Sequence, residues 1–248
     1  MNKYVYENRY TAYIDILGFK ELVRRENFEY IKEILDVLES ERRKNYEKKG
    51  MSKSKLGVEI SLFSDSLIMS YPETSNITKD DYLFYLIDDI NMLQCDLAFK
   101  NVFLRGGIAK GELYHKKNIC FGKAMLEAYQ LEQSAIYPRI VLTEEVLKGA
   151  INNQLKKDRK YSEFNTFETE ANDYCKILKK DIDGLWYTDF MNQLENFDEI
   201  ESYYVMLETI KKKCNNILSN DSDEHIKIKY NWLNNKLIEI MKIKNLQI

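Results

Sequence analysis

The first strongly patterned stretch of the chain runs from residue 10 to residue 17. Ala12, Ile14 and Ile16 fall on one side of an extended backbone, and Tyr13, Asp15 and Leu17 on the other. That alternation predicts a strand with a carboxylate in apolar company. After Gly18 the period changes: Ile31, Ile34, Leu35 and Leu38 recur at helical spacing, which predicts helix from Phe19 to about Lys48. Val58 to Tyr71 reads as two strands meeting near Ser64-Asp65-Ser66 and closed by Pro72, a hairpin with Asp65 at its tip. Asp80 or Asp81 then caps a helix whose buried face is Leu83, Leu86, Ile87, Ile90, Leu93 and Leu97.

Val102 to Leu113 predicts another strand, in which Gly106, Gly107 and Gly111 permit close backbone approach or a bulge. A lysine-rich turn, His115 to Asn118, leads back into Ile119-Cys120-Phe121. Gly122 opens a helix with Met125, Ala128, Leu131 and Ala135 on one stripe. Pro138 precedes a short strand, Arg139 to Leu142, and Thr143-Glu144-Glu145 starts a brief helix. Two further strands, around Tyr174 to Leu178 and Leu185 to Phe190, flank the turn signal Asp183-Gly184. Asn192 to Ile248 reads as a pair of helices broken at Ser219 to Asp223. Alternation of strands and helices followed by hairpins argues for a mixed sheet domain with a helical tail. The division expected is 1–190 for the domain and 191–248 for a helical extension packed on it.

Composition narrows the class without naming a chemistry. At 248 residues, 44% hydrophobic and 31% charged, the chain fits one large globular domain, or one domain with a helical appendage. A net charge of −3 gives no strong field toward nucleic acid or membrane, and neither is expected as a partner. No run approaches the roughly 18 apolar residues of a membrane helix, and the first residues lack a signal-peptide core, so a cytoplasmic location is expected. Cys95, Cys120, Cys175 and Cys214 are far apart and only His115 and His225 accompany them, which argues against zinc and redox motifs. Cys120 with His115 reads more simply as a buried cysteine near a loop histidine than as a nucleophilic pair. Any metal should be hard and oxygen-bound. The basic run Arg42 to Lys55 reads as a solvated helix end and loop, with a phosphate patch as the alternative.

Chemistry enters with Asp15 and Asp65. Each lies in an otherwise apolar segment, where an unpaired charge would be costly, and two such carboxylates can share a divalent cation. Singly, each also reads as a hydrogen-bonded or edge residue; together they favour the cation. Four segments carry a resemblance as well: Tyr13-Ile14-Asp15-Ile16-Leu17-Gly18-Phe19, the hairpin around Asp65, Leu104-Arg105-Gly106-Gly107-Ile108-Ala109-Lys110-Gly111-Glu112, and Phe121-Gly122 before a helix. Their order resembles class III nucleotidyl cyclases from about Tyr10 to Thr143. The resemblance implies an α+β fold, a ferredoxin-like mixed sheet with helices on one face, extended here by C-terminal helices. It implies that Asp15 and Asp65 hold two divalent cations, Mn2+ or Mg2+, with the Ile16 carbonyl as a backbone ligand. It also implies a homodimer with active sites at the interface. Such ions activate a ribose hydroxyl and neutralise departing phosphates. Backbone amides at Gly18 and Phe19, where a helix begins, are candidates for cradling the triphosphate.

Departures from that pattern are equally informative. The purine-reading lysine or glutamate of those enzymes, four residues before the second aspartate, is here Ser61; a polar partner before the later helix is Ile119. The transition-state asparagine and arginine fall on Leu126 and Gln130. Ala135 to Val141, Asp181 to Tyr187 and Lys229 to Leu233 resemble, over nearly the whole chain, the pyrimidine cyclases of the bacterial Pycsar anti-phage system. That narrower resemblance implies conversion of UTP, or secondarily CTP, into the cyclic monophosphate as a defence signal. Arg105, Lys123 and Arg139 are candidates for the missing cation, Arg105 first, because guanidinium contacts phosphate oxygens bidentately and stays charged. Arg105 also reads as a salt bridge across the sheet, and Lys123 as a surface residue pairing Glu127. Three alternatives stand beside this reading: a degenerate cyclase fold that binds nucleotide without turnover, an adenylate or guanylate cyclase with unusual base recognition, and a related two-metal synthase that joins two nucleotides.

Overall fold

Two interleaved strand–helix–strand units form the centre of the protein. The computed structural model describes residues 5–246 except 44, 47–50, 53–55, 74–80, 165–173 and 195–196. The first unit is β1 (Glu7–Ile16), α1 (Phe19–Arg25), α2 (Phe28–Arg43) and β4 (Glu59–Phe63); a two-residue pair, β2 (Asn45–Tyr46) and β3 (Met51–Ser52), lies between α2 and β4. The second is β5 (Ser66–Pro72), α3 (Tyr82–Ala98) and β6 (Leu104–Lys116). Their strands run β4-β5-β1-β6, each antiparallel to its neighbour, which is the ferredoxin-like split arrangement. Beyond β6 come β7 (Ile119–Gly122), α4 (Lys123–Ser134), β8 (Ile140–Leu142), α5 (Glu144–Phe164), α6 (Tyr174–Ile177), β9 (Leu178–Lys180) and β10 (Trp186–Thr188). β8 adds parallel to β6, β10 and β9 follow antiparallel, and β7 doubles back on the far end of β6. The sheet is therefore mixed, and the fold is α+β.

The two faces of the sheet differ. Even-numbered β1 residues Ala12, Ile14 and Ile16 are buried, and with Leu104 and Ile108 of β6 they meet Ile34 and Leu38 of α2 and Leu83, Leu86, Ile87 and Ile90 of α3. This is the helix-covered face that the strand alternation called for. On the opposite face α4 crosses β1 and β6, an addition to the α2–α3 layer. It approaches closely because the strand there offers small residues: a Cβ on Gly107 would come within 2.4 Å of the Leu131 Cβ and 2.5 Å of the Ala128 carbonyl oxygen. Two long helices, α7 (Ile200–Asn220) and α8 (Glu224–Ile243), enclose a second apolar cluster in which Tyr203, Leu207, Ile210, Trp232, Leu233, Leu237 and Ile240 pack on Phe103, Val141 and Tyr187.

Four segment expectations need correction. The helix expected from Phe19 to Lys48 breaks after Arg25: Glu26 is extended, and the Asn27 side chain accepts the Tyr30 amide at 2.9 Å, capping α2 as a separate helix. Tyr174 to Leu178 is a helical turn with the strand starting only at Leu178. Its hydroxyl donates to Asp81 at 2.7 Å and its amide to Gln154 at 3.1 Å, so tertiary bonds override the strand propensity of the aromatic. The helix after Thr143 is long rather than brief, capped by the Thr143 hydroxyl and anchored by buried Val146 and Ala150. The first tail helix begins at Ile200, since Phe190–Asn192 forms a buried 3-10 turn instead. Asp81 does cap α3 through its bond from the Phe84 amide at 3.2 Å; Asp80 lies outside the described residues, as do all the side chains of the basic run Arg42 to Lys55.

Candidate active site

Asp15 lies near the C-terminal end of β1, opposite Ser66 of β5 on one side and Arg105 of β6 on the other. Period-2 alternation puts it with Tyr13 on the α4 face, away from the α2–α3 core. Asp65 occupies the two-residue turn between β4 and β5, next to Ser64, whose backbone is left-handed at φ 55. The first strand and the hairpin tip thereby bring both carboxylates to one corner of the sheet. Burial, then the charge and hydrogen bonding of Asp65, then Glu132 push the Asp15 carboxyl up to about 7, against the opposing pull of Arg105. Two carboxylates that resist sharing a corner while both ionised fit a divalent cation, which would relieve that repulsion. Among the described residues no three His, Cys, Asp or Glu side chains form a ready cage, so backbone oxygen would have to complete the set, Ile16 being the candidate.

Neighbouring polar groups hold Asp15 in place. The Tyr13 hydroxyl donates to Ser66 Oγ at 3.0 Å, and Ser66 reaches Asp15 Oδ1 at 3.4 Å; the Tyr13 ring is braced edge-on by Tyr129 of α4. Arg105 lies 3.7 Å from Asp15 Oδ2 but only 2.7 Å from Glu132 Oε1 on α4, and its other terminal nitrogen faces the Ala135 carbonyl at 3.4 Å. Glu132 is 1% exposed, so this is an ion pair sealed from water on one side. Arg105 Nε and Glu132 Oε1 lack an aligned hydrogen bond, which leaves the 2.7 Å approach a charge contact. Sequence reasoning named Arg105 and missed Glu132. The signal was present: Glu132 stands four residues after buried Ala128, on the same helical stripe.

The other expected site residues are distributed unevenly. Gly18 is left-handed at φ 77 and caps α1, a helix of only seven residues, while Phe19 packs its ring against the α2–α3 core. Ser61 is buried under the β6–β7 hairpin: its hydroxyl lies 2.7 Å from His115 Nε2 and donates to the Lys117 carbonyl. His115 Nδ1 in turn meets Ser70 Oγ at 2.7 Å, and Arg9 Nε donates to that oxygen at 3.0 Å. Burial and then Arg9 pull the His115 imidazole down to about 4, so it is neutral there. Lys123 is a surface residue, 83% exposed, and pairs with Glu112 at 3.1 Å rather than with Glu127. Arg139 is 2% exposed and bound to Asp181 and Asp183, with its guanidinium over the Tyr137 ring. Cys120 is no activated thiol: burial pushes it up to about 11, and its cross-strand partner His115 is engaged by the two serines.

No protein-family model matches this chain, and no curated protein matches it. Solved structures do. The guanylyl cyclase domain of the RhoGC fusion protein from the aquatic fungus Blastocladiella emersonii is 11% identical with a TM-score of 0.48, covering 74% of this chain and 95% of that one. The adenylyl cyclase CyaB from P. aeruginosa is 13% identical with a TM-score of 0.47, covering 59% and 82%. The guanylyl cyclase Cya2 is 15% identical with a TM-score of 0.45, covering 58% and 78%. These are what the chain is similar to in fold; no residue role passes from them. No described helix is long and apolar enough to cross a membrane.

Proposed function

We propose that this protein is a metal-dependent nucleotidyl cyclase of the class III kind, acting on a pyrimidine nucleoside triphosphate, UTP before CTP, to give the 3′,5′-cyclic monophosphate and diphosphate. The observation that carries the reading is the meeting of Asp15 and Asp65 at one corner of a ferredoxin-like sheet, where burial first and the neighbouring Asp65 second raise Asp15 to about 7. Asp15, Asp65 and the Ile16 carbonyl would hold two Mn2+ or Mg2+ ions, which when bound supply activation of the ribose hydroxyl and neutralisation of the leaving phosphates. Tyr13 and Ser66 orient Asp15, while Arg105 supplies positive charge beside it.

Pyrimidine preference is supported by the residues at the positions where the resemblance expects purine readers. Ser61 is covered by His115 and Lys117, and Ile119 and Leu126 are 60% and 59% exposed apolar groups where a purine-reading site needs polar ones. The resemblance to pyrimidine cyclases of anti-phage defence points the same way, and with it goes a role as an alarm-signal synthase. We assign the working form as a homodimer, since Phe63, beside the Asp65 turn, and Leu126, on α4, are exposed apolar side chains. A second reading, a nucleotide sensor without turnover, rests on Leu126 and Gln130 standing where polar catalytic groups are expected.

Incubating the purified chain with each of four labelled nucleoside triphosphates and Mn2+ decides among them. A cyclic pyrimidine monophosphate, absent in Asp15→Asn and Asp65→Asn, is expected. Cyclic AMP or GMP would refute the base assignment, and tight binding with no product would favour the sensor. Full activity in Asp65→Ala would sink the metal reading.

A further inference from the structure

Arg105 has two anions within reach and only one of them is needed for binding a cation. Its Nη2 sits 2.7 Å from Glu132 and 3.7 Å from Asp15, so a shift of the guanidinium by about 1 Å would give Asp15 a full charge-assisted hydrogen bond. The Asp15 oxygen it would engage, Oδ2, belongs to the carboxylate proposed to hold the metal. What prevents the shift is Glu132: at 1% exposure it has no water to replace the guanidinium, and abandoning it would leave a buried charge uncompensated. The Gln133 amide also donates to Glu132, and an amide cannot balance the charge. The Arg105 backbone is fixed opposite Asp15 in the β1–β6 ladder, so only the side chain can choose between them.

We propose that Glu132 is a positioning residue that holds Arg105 off Asp15 and so keeps the Asp15–Asp65 corner open to a divalent cation. This rests on the metal reading of that corner. Glu132 touches neither metal nor nucleotide; it acts through Arg105. Once Glu132 is neutral, Asp15 becomes the strongest anion in reach, and the guanidinium competes with the cation for it.

The test is direct Mn2+ titration by calorimetry on the whole chain, without nucleotide, so that turnover plays no part. Glu132→Gln keeps the shape and removes the charge; Mn2+ affinity should fall about tenfold to a hundredfold, the range seen when outer-shell partners of metal ligands are removed. Adding Arg105→Met to it removes the competitor, and affinity should return to within a few fold of the parent or exceed it. A purely structural role for Glu132 predicts no such rescue. Unchanged affinity in folded Glu132→Gln, or a double variant as weak as the single, would overturn the proposal. If Glu132→Gln fails to fold, the double variant, from which both charges of the pair are gone, is compared with the parent alone: tenfold weaker binding there would overturn it. A parent chain that binds no Mn2+ overturns the metal reading itself, an outcome distinct from these.

Discussion

Removing Asp65 should stabilise the metal-free protein, and only at neutral and alkaline pH. A carboxyl raised in the folded state from an ordinary value near 3.8 to about 7 favours folding when protonated. Its contribution is therefore fully present below pH 3.8 and is lost as pH rises through 7. The gap corresponds to about 4 kcal/mol at most. Burial, the first cause, survives the substitution, and solvent reaches a side chain that is 22% exposed. Asp65→Asn should then recover about 1–2 kcal/mol at pH 8.5. For a chain of this length that is a rise in melting temperature of about 2–8 °C. Thermal melts in EDTA at pH 5 and pH 8.5 check it: the variant should melt higher at pH 8.5 and with the parent at pH 5. Saturating Mn2+ should reverse the order at pH 8.5, because the parent gains a bound ion that the variant cannot hold. A gain of equal size at both pH values, or a variant less stable at pH 8.5, would refute the reasoning that the two carboxylates repel.

Other perturbations probe the surroundings. His115 is depressed from 6.5 to about 4, so its contribution is present above pH 6.5 and lost as pH falls through 4; His115→Gln should flatten about 3 kcal/mol of that dependence in urea unfolding. Arg139→Met removes the ion-pair partner of Asp183, which keeps the Leu185 amide, and leaves Asp181 with Lys236, Trp232 and the Ile182 amide, which should cost about 3 kcal/mol of unfolding free energy without moving the Mn2+ affinity. Gly107→Ala drives a methyl into Leu131 and the α4 backbone and should destabilise by about 1–3 kcal/mol, with Mn2+ affinity falling as α4 lifts Glu132 from Arg105.

What could be read in the sequence was whatever local periodicity controls. The β1 alternation, the hairpin with Asp65 at its tip, the apolar face of α3 and the opening of α4 at Gly122 are each set by residues within one element, and each stands as expected. Tyr174 escaped because its conformation is decided by Asp81 and Gln154, distant in the chain. Lys123, with Glu127 as its local partner by spacing, and Arg139 are instead each paired across elements, with Glu112 and with the Asp181–Asp183 turn. The cover over Ser61 was equally out of reach, since it depends on how far the β6–β7 hairpin folds back across β4 and β5.

Arg105 and Glu132 show how two periodicities meet to build one contact. Along β6, Arg105, Gly107, Ala109 and Gly111 share a face by period 2; along α4, Ala124, Ala128 and Glu132 share a stripe by period 4. Small side chains on both let the helix backbone lie against the strand, and a Cβ at Gly111 would already touch Ala124 at 3.6 Å. Only at the end of that seam do the residues become long and charged, and there they face each other. The seam sets the spacing of the ion pair, and the β1–β6 register sets Asp15 beside it. Any change that widens the seam should therefore act on the corner as a loss of Glu132 would, by freeing Arg105, and not as a loss of Asp15 or Asp65.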